Sequence, residues 1–70
     1  MADITAHIPG TIFKIAKHVG ESVAVGEEVI ILEAMKMEIP LESPIAGVMK
    51  RILVEEGQAV EEGALVAVVE

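Results

Sequence analysis

The feature that most constrains this chain is that it says the same thing twice. Residues 8–33, IPGTIFKIAKHVGESVAVGEEVIILE, lie over residues 45–70, IAGVMKRILVEEGQAVEEGALVAVVE, without a gap and at an offset of 37 residues. Ile8, Gly10, Ile15, Gly20, Val23, Gly26, Val29 and Glu33 meet Ile45, Gly47, Ile52, Gly57, Val60, Gly63, Val66 and Glu70. All six glycines of the chain fall into three matched pairs, with the valines between them also in step. A short unit repeated in this way cannot bury its own apolar face, so its copies must pack on one another.

Each copy carries Gly-x-x-Val-x-x-Gly-x-x-Val: Gly20, Val23, Gly26 and Val29, then Gly57, Val60, Gly63 and Val66. A spacing of three suggests a helix face, but two glycines in ten residues would cost a helix about 2 kcal/mol. Glycine at turns, supplying positive φ, is the cheaper reading. The runs VIILE and LVAVVE that follow are rich in β-branched residues and read as core strands. Strands are expected near 3–7, 11–16, 29–34, 37–42, 47–53 and 65–69, with short extended pieces near 22–24 and 59–60. The expected fold is all-β, a single domain over 1–70 whose halves pack about a pseudo-two-fold axis. Residues 34–44 are then the only junction between the copies, and the axis sets them at the opposite end from the two termini.

Composition narrows the function. The core has to be aliphatic, because 53% of residues are hydrophobic while Phe13 is the only aromatic. A net charge of −7 and the lack of stacking side chains argue against a nucleic-acid partner. There is no cysteine, hence no disulfide framework and no thiolate metal site, and His7 and His18 lack ligand-spaced partners. ALVAVV at 64–69 is far short of a membrane span, which needs about 20 apolar residues. The start, MADITAHIPG, has no basic region typical of a signal peptide. The expected location is the cytoplasm, or the mitochondrial or plastid matrix for a processed chain. No catalytic set stands out. Ser22 and Ser43 have no evident base, and the doublets Glu27-Glu28, Glu55-Glu56 and Glu61-Glu62 read as solvated loop charge.

That leaves EAMKME at 33–38, in the junction. Its residues favour helix, yet strands on both sides leave room only for a tight hairpin centred on Met35-Lys36. Such turns prefer Asn-Gly or Asp-Gly, since both central residues need positive φ in type I′. Two non-glycine residues there imply strain, and strain at an exposed point marks a candidate functional site. An amine on a four-carbon stem at a hairpin apex suits covalent attachment.

Glu33-Ala34-Met35-Lys36-Met37-Glu38 resembles the attachment signature of biotinyl domains, whose core is Ala-Met-Lys-Met. Ile8-Pro9-Gly10, Ser43-Pro44-Ile45-Ala46-Gly47-Val48 and Gly57 through Glu70 are similar to that family's other segments, so the likeness covers nearly the whole chain. The resemblance implies a flattened eight-stranded barrel or sandwich with quasi-two-fold symmetry. It implies biotin as covalent cofactor on Lys36, with Glu33, Ala34, Met35 and Met37 as recognition flanks. It also implies a biotin–protein ligase that loads the lysine from biotinyl-adenylate. The partners implied downstream are a biotin carboxylase and a carboxyltransferase, between which the tethered group shuttles carboxylate. The chain would be a carrier rather than an enzyme. The inserted thumb of some acetyl-CoA carboxylase carriers has no room in the gapless repeat. A lipoyl carrier domain of a 2-oxo acid dehydrogenase complex is the alternative, with the same fold, but its tip usually reads Asp-Lys-Ala.

Overall fold

The computed structural model describes residues 1–70 and contains only strands and turns. The strands are β1 (Ala2–Thr5), β2 (Gly10–Ile15), β3 (Ser22–Val23), β4 (Glu28–Ala34), β5 (Met37–Glu42), β6 (Gly47–Ile52), β7 (Ala59–Val60) and β8 (Leu65–Val69). Expected and observed boundaries differ by at most two residues at any end, and 37–42, 59–60 and 65–69 coincide. Two four-stranded sheets form, in the orders β1-β8-β6-β3 and β5-β4-β2-β7. Residues 1–7 and 38–44, outside the aligned stretches, follow the same two-fold: β1 takes the place in its sheet that β5 takes in the other.

The symmetry extends to individual registers. Ile12 pairs with Leu32 and Ile15 with Ile30 between β2 and β4, as Met49 pairs with Val69 and Ile52 with Ala67 between β6 and β8. Leu41 faces Ile30 as Ile4 faces Ala67. Bulges recur at matched places. One pair leaves Phe13 and Lys50 unpaired and exposed; the other leaves Val29 and Val66 unpaired and fully buried. A bulge twists a strand sharply, which lets sheets this narrow wrap round a shared core. The short strands cross between halves: β7 pairs with β2, and β3 with β6. Neither half is complete without the other.

The core is a cluster of 14 buried side chains, among them Ile12, Leu32, Leu41, Met49 and Val66, all aliphatic or Met. Each buried side chain of this size is worth about 1.5–3 kcal/mol relative to exposure. Ser43 is the one buried polar residue, and its hydroxyl is satisfied locally: it donates to the Ile45 carbonyl at 2.6 Å and accepts from the Ile45 N–H. Pro40 sits on the edge strand β5 between Glu38 and Glu42. A proline and charges there discourage pairing with a further strand.

Four turns hold the ends of the sheets. In residues 18–21, 24–27, 55–58 and 61–64, the fourth N–H bonds back to the first carbonyl at 3.0–3.1 Å. The third residue is always glycine, with φ of 94, 81, 90 and 84°, as a type II turn requires. In three of the four, the fourth side chain also accepts from the first N–H: Glu21 from His18, Glu27 from Ala24, Gln58 from Glu55. The glutamate doublets thus need correction, because two members are not free charges. Glu27 caps Ala24 and pairs with Lys17 at 3.0 Å, and Glu56 accepts from the Ile15 N–H across the halves at 3.0 Å. The Glu56 and Lys17 contacts form only once the sheets assemble, whereas the Glu27 cap on Ala24 is local to its own turn.

The His18 backbone N–H, aided by its ring, holds the Glu21 carboxyl below its ordinary value. The Ala24 N–H, then the Lys17 amine, do the same for Glu27. A lowered folded-state pKa gives stability that is present above the unfolded value of about 4.3 and lost as pH falls through the folded one. Gln58 makes the same cap without titrating. Replacing Glu21 and Glu27 together by Gln should therefore flatten the loss of thermal midpoint between pH 7 and pH 3; an unaltered slope would show these caps to be energetically idle. Gly57→Val forces a β-branched side chain to φ near 90°. Its midpoint should drop by roughly 5–15 °C, measured by circular dichroism.

Candidate functional site

The hairpin between β4 and β5 closes with Ala34 opposite Met37, so Met35 and Lys36 are its two central residues. Their φ values are 54 and 63°. These are the only non-glycine residues in the chain with positive φ, and together they make a type I′ turn, the hand that matches strand twist. Holding an L-residue in this region costs about 1–2 kcal/mol. The helical preference of EAMKME gives way because six residues cannot nucleate a helix against two paired strands.

The tip is exposed. Met35 is 89% accessible and Met37 61%, both unusual for methionine, and Lys36 is exposed between them. Ala34 is buried beneath the turn and anchors it, while Glu33 and Glu38 face each other across the hairpin, both exposed. Lys36 takes part in none of the ion pairs, which are Lys17–Glu27, His18–Glu21 and Lys50–Glu70. The five residues singled out by sequence therefore come together at one apex, with Ala34 as the floor. At the other end of the two-fold relation, Ala2 pairs with Val69, so the chain termini lie side by side.

Sequence reasoning did not find one feature. A surface groove runs beside the apex, walled by residues 33–36 on one side and 8–11 on the other. Ile8, Pro9, Ala34 and Met35 make it largely apolar, and Thr11 and Glu33 supply its polar rim. Gly10 brings the walls close, for a Cβ there would stand 2.6 Å from the Glu33 carbonyl oxygen. An alkyl-linked ring on Lys36 has both the exposed exit and the apolar shelf it needs, so these residues fit a covalently carried group. Elsewhere, no group of three His, Cys, Asp or Glu gathers to hold a metal, and no helix is long and apolar enough to cross a membrane.

Comparison with known proteins agrees with this geometry. A family model described as "Biotin-requiring enzyme", Biotin_lipoyl, matches residues 1–69. A biotinylated protein TB7.3 homolog from Mycobacterium leprae is 31% identical over 96% of this chain and 94% of that protein. The urea carboxylase of Kluyveromyces lactis superposes with a TM-score of 0.94 at 36% identity, over 99% of this chain. This chain spans only 6% of that enzyme. The lipoyl domain of the 2-oxoglutarate dehydrogenase complex from Azotobacter vinelandii superposes at 0.84 with 26% identity, covering 100% of this chain and 96% of that one. The chain therefore belongs to the biotin/lipoyl-attachment family.

Proposed function

We propose that Lys36 is the attachment residue and that the chain serves as the carboxyl carrier of a biotin-dependent carboxylase. What supports this reading is one observation: the chain's only strained non-glycine turn presents Lys36 at an exposed apex, between two exposed methionines. Bound biotin supplies a ureido nitrogen that takes up and gives back carboxylate. Everything else falls to the polypeptide. An amine that becomes an amide must give up a proton, so loading needs a partner that removes it and offers an activated acyl group. With a biotin–protein ligase, the Lys36 nitrogen attacks the acyl carbon of biotinyl-adenylate. A C–N bond forms, the acyl–phosphate bond breaks, AMP departs and the amine proton is lost to the ligase.

The turn contributes by fixing the direction of Lys36, while Met35 and Met37 offer apolar contact to the ligase, with Glu33 and Ala34 completing the flank. Thereafter the domain works as a tether. Attachment converts encounters with a biotin carboxylase and then a carboxyltransferase into intramolecular ones, at effective concentrations on the order of millimolar. Its place of action on this reading is the cytoplasm or an organelle matrix.

Incubation with biotin, ATP and a biotin–protein ligase should add one biotin to the intact mass, and Lys36→Arg should remove all labelling while keeping the fold. An unchanged mass with the wild-type chain would refute the reading, and lipoylation by a lipoyl ligase in its place would support the alternative carrier. Met35→Asn with Lys36→Gly installs the pair preferred in a type I′ turn. That variant should unfold about 1–2 kcal/mol harder in urea and accept no biotin. A variant no more stable than the parent would mean that the turn carries no strain.

A further inference from the structure

The two-fold relation provides an internal control for the groove beside Lys36. Matched positions in the other half share its backbone but not its side chains. Pro9 stands where Ala46 does, Thr11 where Val48 does, and Phe13 where Lys50 does. Thr11 and Val48 both lie outward on their strands, so core packing does not explain the hydroxyl. Glu33 and Glu70 are matched too. Glu70 is paired with Lys50 at 3.0 Å, whereas Glu33 has no ion-pair partner, because Phe13 replaces the cation. Thr11 and Glu33 face each other across β2 and β4 and so share a face. The half that carries Lys36 thus differs in setting a hydroxyl and an unpaired carboxylate beside its apolar shelf.

We infer that this groove is a resting site for the ring carried on Lys36, an inference that depends on the attachment reading above. The chemistry is complementary. A cyclic urea presents two N–H donors and one carbonyl acceptor. The Glu33 carboxylate accepts from one N–H, and the Thr11 hydroxyl donates to the adjacent carbonyl. The sulfur ring lies on Ile8, Pro9 and Met35. Two flexible alkyl stems joined by an amide allow the ring to fold back beside its own point of attachment. Affinity need not be high: a short tether holds the ring at an effective concentration on the order of millimolar, so a millimolar-range site is about half filled. Occupancy of that order shields the ureido nitrogens between deliveries and still releases the ring to a partner without a large barrier.

The test uses the biotinylated chain, with loading first verified by intact mass. Proton NMR should show Overhauser contacts from the ring to the Ile8 and Thr11 methyls, and amide shifts at residues 8–11 and 33 beyond those next to Lys36. Thr11→Val, which copies the other half, should still be loaded. It should lose those contacts, and streptavidin should capture it up to about twofold faster, the ceiling for a ring that is half sequestered in the parent. Shifts confined to residues 34–38 in a fully loaded wild-type chain would overturn the resting site and leave the attachment reading intact. An unloaded mass would overturn both.

Discussion

Four glycine amides tie this molecule together. The Gly20 N–H donates to the Met49 carbonyl and the Gly57 N–H to the Ile12 carbonyl, each at 2.7–2.8 Å. Gly26 and Gly63 do the same to Ser43 and Ala6, also at 2.7–2.8 Å. Each bond is made from a residue at positive φ, so a side chain there would strain the turn whose N–H does the joining. The first two bonds cross from one copy of the repeat to the other. A small aliphatic core has little stability to spare, and hydrogen bonds made from these turns help to offset the entropy lost on folding it.

That arrangement also determines what is left over. Four other corners are closed by glycine turns, and the β4–β5 hairpin is the one place where two ordinary residues are held at positive φ. The strain there is tolerable because the paired strands below over-determine the turn: Ala34 is buried and Glu33 is fixed opposite both Thr11 and Glu38. On the attachment reading proposed for Lys36, a rigidly placed lysine with a mobile stem lets partner enzymes find the amine and lets the arm then move. Placing the termini at the far end keeps any flanking chain away from the apex.

Near-duplication has a second consequence. Most departures from symmetry are neutral on the inside, as with Ile12 and Met49, both fully buried. Departures on the outside have no packing reason, and several gather around the Lys36 groove. Pro9, Thr11 and Phe13 are of this kind. Glu56 is another asymmetry, bonding to Ile15 N–H where its counterpart Val19 offers no acceptor. It stabilises the junction of the halves and has no part in the groove.

Strand positions, the all-β class, the pairing of termini and the hairpin at Met35-Lys36 could be read from sequence by itself, because glycine spacing and β-branched runs are local signals with one cheap conformation each. The signature around Lys36 was legible for the same reason: it is contiguous. Tertiary structure alone decided which carboxylates are bound and which are free. Glu27, Glu56 and Glu33 look alike in sequence, yet the first two accept backbone N–H bonds and the third faces an open groove. It alone also brought residues 8–11 against residues 33–36, through a register between strands that are far apart in the chain. Hydrogen bonds and clefts of this kind depend on which surfaces meet, and composition carries no record of that.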